Sequence, residues 1–338
     1  HSSAASDVYK RQSLQVPQQS MRDALITMIT VQGDTEFASV EQQRHLLASA
    51  PTDFDRYSAA RIMAEEQRHG WQMAYLLMTY FGQQGRREAQ KLLERNAQDG
   101  DRLLGAFNIP MPHWLDFFCY TMFVDRDGKF QLGMLSTSAF KPLAASMGPM
   151  LKEEAFHLGT GFNGLRRIIK AGVLPLDMLQ RYINKWVSTA HDLFGVDASS
   201  SAHWAYVWGV KGRWDERKKL DAGVEVDKAT LNEESRGHYH HEIVGEVRKL
   251  CGYLPEGATE LYVPHENFNR NIGVAKGQKF NVDGTPFEGS DDEWATYMTT
   301  VLPTDQDEED LKAYFEQEWI ANKPMSTRQI ESGIGASA

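Results

Sequence analysis

The sequence predicts a mainly α-helical protein: a four-helix bundle with flanking helices and a mixed, partly irregular C-terminal extension. Three observations predict it. Apolar residues recur at helical spacing through four long segments. Pro, Gly and capping residues separate those segments. Acidic and imidazole side chains sit inside the apolar stripes rather than beside them.

The first helix spans Met21 to about Leu47, where Pro51 stops it and Thr52 or Asp53 can cap the next. The second runs from about Phe54 to Tyr80 and ends near Gly82; Gly85 to Asn96 reads as a shorter, charged surface helix. Asp99 to Pro112 is a connection. A third long helix starts near His113, and a fourth runs from about Met147 to Lys170 with Gly172 at its end. Amphipathic patterns at Leu176 to Phe194 and Ala202 to Lys219 flank the bundle. The character changes after Ala222. Val282-Asp283-Gly284 marks a hairpin-type turn, and helical patterns return at Glu293 to Val301 and Glu308 to Ala321. The predicted organisation is a bundle with its flanking helices over 19–222 and an extension packed on it over 223–328. Residues 1–18 form an unstructured, non-native-looking tail and 329–338 a second unstructured one.

Composition narrows the function. The chain has 338 residues, 41% of them hydrophobic and 24% charged, which is the balance of a folded protein. Its 36 Lys and Arg against 46 Asp and Glu give a net charge of -10. No segment has the basic density that tracks a phosphate backbone, so nucleic acid is not expected as a partner. Only two cysteines, Cys119 and Cys251, and no long apolar run point to a cytoplasmic protein outside the membrane.

The chemistry lies in a repeated Glu-x-x-His. Ile62, Glu66, His69, Met73, Leu76 and Tyr80 follow alternating spacings of four and three, so Glu66 and His69 point into the core. Glu65 shares its face with Ser58, Arg61, Arg68 and Gln72, a solvated set. Met147, Met150, Glu154, His157, Gly161 and Leu165 repeat the arrangement, with Glu153 off the seam. A buried carboxylate is costly unless it is paired. Two more carboxylates supply partners: Glu36 on the first helix and Asp125 on the third, whereas Asp127 falls away. Glu66 follows Glu36 by 30 residues and Glu154 follows Asp125 by 29, as two pseudo-twofold-related helical hairpins would give. Carboxylate, Glu-x-x-His, carboxylate, Glu-x-x-His is the pattern of the ferritin-like di-iron carboxylate bundles. The competing reading, hydrogen-bonded core pairs, accounts for one pair but poorly for six residues in this order. Two Fe²⁺ ions would neutralise the four carboxylates, and mixed oxygen and imidazole ligation suits iron or manganese better than zinc.

Other signals are weaker. His238-Tyr239-His240-His241-Glu242 reads as a surface loop. Glu41 and His45 read as a hydrogen-bonded i, i+4 pair. Lys211, Arg213, Arg217, Lys218 and Lys219 read as a solvated basic face or, more sharply, a phosphate contact. Phe118, Phe123, Phe130 and Phe156 are candidates to line a substrate pocket, although a Phe stripe is more often plain core.

At VQGDTEFASVEQQRHL (31–46), EEQRH (65–69), VDRDGKFQL (124–132), EEAFHL (153–158), the VKGRW segment and LPTDQ near 302–306, the sequence resembles the oxygenase components of benzoyl-CoA 2,3-epoxidases, relatives of the phenylacetyl-CoA epoxidase catalytic subunit. The resemblance covers most of 20–306; members of that family carry a longer portion before the first bundle helix. It implies that Glu36, Glu66, His69, Asp125, Glu154 and His157 are ligands of two iron ions. It also implies O₂ as co-substrate, an aryl-CoA thioester as substrate, and electrons from a separate NADPH-dependent flavin and iron–sulfur reductase. Epoxidation of the ring of benzoyl-CoA in aerobic aromatic catabolism is the implied reaction. The alternatives are phenylacetyl-CoA or another aryl-CoA as substrate, hydroxylation, or a non-catalytic ferritin-like iron-binding protein. Gln32, one turn before Glu36, is a further candidate on the oxygen or substrate side of the cluster.

Overall fold

In the computed structural model, residues 18–215 and 230–315 are described. Four long helices form the bundle: α1 (Gln19–Gln43), α2 (Asp53–Tyr80), α4 (Trp114–Leu135) and α5 (Lys141–Ala171), with the short α3 (Gly82–Glu94) between the two pairs. α1 packs on α2, α4 on α5, and α2 meets α5, so two helical hairpins lie face to face. Flanking them are α6 (Leu176–Leu193), α7 (Ser200–Val207) and α8 (Leu231–Cys251); α9 (Asp291–Val301) and α10 (Asp305–Phe315) follow.

The punctuation works as the sequence predicts. The Thr52 side chain accepts from Asp55 N at 3.2 Å to start α2, and Gly172, with φ 65°, closes α5 in the left-handed region. A cap that the sequence reading did not name, the reciprocal capping box of Ser290 and Glu293, starts α9. The α4 and α5 backbones approach closely because α5 presents glycine there. A Cβ at Gly161 would lie 2.7 Å from the Phe118 carbonyl oxygen and nearer still to the Met122 amide.

The structure changes several expectations. α5 begins at Lys141, six residues before Met147, because Pro142 sits in the first turn, where its missing N–H costs nothing. The pattern starting at Ala202 yields only Ser200–Val207, and 208–215 is irregular. The turn at Asp283-Gly284 forms, with Asn281 N donating to Thr285 O at 2.8 Å. It carries a single bridge, Phe280 to Pro286, and no strand is present among the described residues. The His238–Glu242 stretch is helical, not a loop. Tyr239 is buried and donates to Phe123 O at 3.1 Å, and Lys129 reaches Glu242 at 2.6 Å, so this helix is anchored to α4. Glu41 and His45 do not pair with each other: Glu41 accepts from Arg102 Nη2 at 2.6 Å, and His45 Nε2 lies 2.9 Å from Met111 O.

Lys211 and Arg213 are buried rather than solvated, whereas Arg217, Lys218 and Lys219 lie outside the described residues. So do the expected tails, apart from Gln18. No helix among the described residues is long and apolar enough to cross a membrane.

Candidate metal centre

Helical spacing directs six side chains inward from four helices: Glu36 from α1, Glu66 and His69 from α2, Asp125 from α4, and Glu154 and His157 from α5. All six are buried. Glu36, Glu66 and His69 have ligand atoms within 4.8 Å of one another, and so do Glu66, Asp125 and His157. Glu66 belongs to both groups and lies between them. Glu154 completes the second: His157 Nδ1 is 3.5 Å from Glu154 Oε2, 3.2 Å from Glu66 Oε1 and 3.7 Å from Asp125 Oδ2. On the other side His69 Nδ1 is 3.3 Å from Glu36 Oε2.

Burial and the closeness of the acids dominate the electrostatics of the cluster. Burial, with the charge of Glu36 added, pushes Glu66 well above the usual carboxylate range. Burial likewise pushes Asp125 well up. Burial also works to raise Glu36, but hydrogen bonding with His69, Glu66 and Gln32 outweighs it and holds Glu36 low. For His157 burial would lower the imidazole, yet Glu154, Glu65 and Glu66 outweigh it and raise it well above its usual value. Asp125 Oδ2, Glu154 Oε2 and His157 Nδ1 are buried without a hydrogen-bond partner. Buried polar atoms without partners are rare, and three converging ones are the donor set that a cation satisfies. The residues present therefore fit bound metal cations, which Glu36, Glu66, His69, Asp125, Glu154 and His157 would hold.

Two residues set aside in the sequence belong to the site. Glu65 is buried, not solvated: its Oε2 is 3.0 Å from His157 Nε2, and Arg61 Nε donates to its other oxygen at 2.9 Å. Glu153 Oε2 is 2.6 Å from His69 Nε2 and also pairs with Arg68. The arrangement is crossed, because the outer acid of each motif holds the imidazole of the other. An Nε2–H donated to a carboxylate leaves the Nδ1 lone pair facing the cluster. The doubled acids, Glu65-Glu66 and Glu153-Glu154, were the signal for this pairing. Tyr120, which the sequence reading also missed, is buried beside Asp125 and Glu66 and pushed well up, by burial first and those charges second.

A cavity of about 280 Å³ opens from the cluster between α1 and α4. Glu36, Glu66, Asp125 and Glu154 lie at one end, and Val31, Phe107, Val124 and Leu132 are among its apolar walls. Gln32 lines it and donates from Nε2 to Glu36 Oε1 at 2.6 Å. Asp127 does not fall away; it is buried on the cavity wall and pushed up to about 7 by burial. None of the four candidate phenylalanines is on the wall, in line with the plain-core reading. Phe118, Phe123 and Phe130 fill the core, and Phe156 lies under the Arg61 guanidinium.

A helical bundle with a buried carboxylate and imidazole cluster beside a cavity defines a ferritin-like protein able to hold metal ions in its interior. Sequence comparison gives the family: the chain belongs to the phenylacetic acid catabolic proteins, whose family model matches residues 11–260. It is 37% identical over 329 residues to the benzoyl-CoA oxygenase component B of Aromatoleum evansii, covering 85% of this chain and 69% of that protein. It is 23% identical over 271 residues to a 1,2-phenylacetyl-CoA epoxidase subunit of Escherichia coli (strain K12), covering 78% of this chain and 80% of that protein.

Proposed function

We propose that this chain is the oxygenase component of an aryl-CoA epoxidase acting on benzoyl-CoA or a close aryl-CoA thioester in aromatic catabolism. The observation that carries the reading is Glu66 shared between two groups of metal-ligand type at the inner end of an apolar cavity. Glu36, Glu66, His69, Asp125, Glu154 and His157 would hold two iron ions. Bound iron would supply the O₂ chemistry, in which one oxygen atom goes to the ring and the other leaves as water, with two electrons drawn from a separate NADPH-dependent reductase.

The chain's own part is positioning and exclusion of water. Gln32 fixes the outer oxygen of Glu36, while Glu65 and Glu153 hold the imidazoles with Nδ1 inward. The apolar walls keep the ring against the cluster and water away from it. A protein that only bound iron would need no such cavity beside its metal.

The test is iron per chain after anaerobic Fe²⁺ reconstitution, followed by O₂-dependent turnover of benzoyl-CoA with an electron donor. About two irons per chain and ring oxygenation are expected. His157→Ala should lose iron and turnover while keeping its helix content. A folded wild-type chain that binds well below one iron, or an active His157→Ala, would overturn the reading. The name of the Escherichia coli relative makes phenylacetyl-CoA the second substrate to try, and relative kcat/KM across a panel of aryl-CoA thioesters separates the two.

A further inference from the structure

The cavity has a second polar end. Away from the cluster its wall includes Asp127, Gln131, Lys211 and Asn232. Lys211 is only 8% exposed. Its Nζ donates to Gln131 Oε1 at 2.7 Å and to Asn232 Oδ1 at 3.0 Å, two neutral amide oxygens. An ammonium carries three N–H donors, and the two amide oxygens leave one of them. Asp127 and Asp197 act on it only from a distance.

A buried cation without a direct counter-charge is expensive, and burial holds Lys211 down at about 8. In a plain core position a methionine or leucine would be cheaper. Gln131 also donates to Asp127 Oδ1 at 3.0 Å, so the amide that orients the ammonium is itself held in place. The group is a braced donor on the cavity wall.

Its placement along the bundle limits what it can meet. Gln131 lies six residues beyond Asp125 on α4, about 9 Å along the axis at 1.5 Å per residue. With a ring edge about 3.5 Å from the cluster, roughly 4 Å from that edge to the acyl oxygen and about 3 Å of hydrogen bond, an aryl thioester covers that interval. Resting on the proposed aryl-thioester function, we infer that Lys211 donates its free N–H to the acyl carbonyl oxygen of the ligand, so that carbonyl recognition at this end sets which ring edge faces the cluster. Lys211 is thus a substrate-binding, specificity-determining residue, and Gln131 and Asn232 position it.

The test compares two small ligands of nearly equal shape, S-ethyl thiobenzoate and benzyl ethyl sulfide, which lacks the carbonyl oxygen. Kd values are measured anaerobically on the full iron-reconstituted chain and on Lys211→Met. The wild type should prefer the thioester about tenfold or more, the range of a hydrogen bond to a charged group, and the variant should lose that preference while binding the sulfide within about twofold of wild type. Should Lys211→Met fail to fold, Lys211→Gln keeps an N–H donor for the two amides but removes the charge, and its preference should fall below about threefold. A preference retained in the folded variant overturns the assignment and leaves the proposed function standing. If the folded, iron-loaded wild type binds neither ligand, the assignment and the aryl-thioester reading fail together.

Discussion

Replacing Glu66 by Gln isolates what the shared carboxylate does. Burial and Glu36 press this group toward its neutral form in the metal-free protein, a form that glutamine copies in shape and charge. A near-isosteric swap of one neutral polar group for another costs little, about 1 kcal/mol or less, when its hydrogen bonds can be kept. The metal-bound protein responds far more. At a hundred times Kd each bound ion adds about 2.7 kcal/mol, so two ions add about 5 kcal/mol. At about 2 °C per kcal/mol for a chain of this size, Fe²⁺ should raise the wild-type Tm by about 10 °C. In Glu66→Gln that rise should vanish, since Glu66 stands in both ligand groups, while the metal-free Tm stays nearly level. Anaerobic thermal melts with and without Fe²⁺, together with iron analysis, read both effects. A variant that keeps one iron per chain and half of the metal-induced rise would refute the sharing; a large fall in metal-free Tm would refute the electrostatic argument.

Three further outcomes follow from the same geometry. Glu153→Ala should weaken Fe²⁺ binding 10- to 100-fold at the His69 side and leave the His157 imidazole tautomer unchanged, and Glu65→Ala should do the reverse. Nitrogen NMR of the histidines with a metal titration reads this, and effects confined to each acid's own motif would disprove the crossing. Glu66, Asp125, His69 and His157 all have folded values above their ordinary ones, so each binds its proton more tightly when folded. Stability they contribute is present below the ordinary value and lost as pH rises through the folded one, so the metal-free Tm should fall above about pH 6.5, and bound Fe²⁺, which displaces those protons, should reverse the slope. A metal-free Tm that climbs between about pH 6.5 and 8.5 contradicts this. Gly161→Ala should destabilise the protein by about 1–3 kcal/mol in a denaturant melt, because its methyl meets the α4 backbone; an unchanged midpoint would mean that the helices separate freely.

The amino-acid sequence by itself determined the four bundle helices, the Thr52 and Gly172 caps and the six inward residues. These are local matters: a period of 3.6 selects one face, and an acid or imidazole within an apolar stripe must follow that stripe into the core. Glu36, Glu66, His69, Asp125, Glu154 and His157 are together for that reason. Glu65 and Glu153 were misplaced because each sits one residue, about 100° of rotation, from the seam. Whether such a boundary position meets water or a neighbouring helix depends on how closely α2 and α5 approach, which neither helix encodes alone. The same holds for His238–Glu242, whose polar residues suggested a loop until Tyr239 and Glu242 found partners on α4. Only the tertiary structure separated α1 from α4 to leave the cavity and brought Lys211 to its wall, although in sequence it lies far beyond His157, the last residue of the cluster. Periodicity specifies which way a side chain faces; the distance to what it faces is set by packing across the whole bundle.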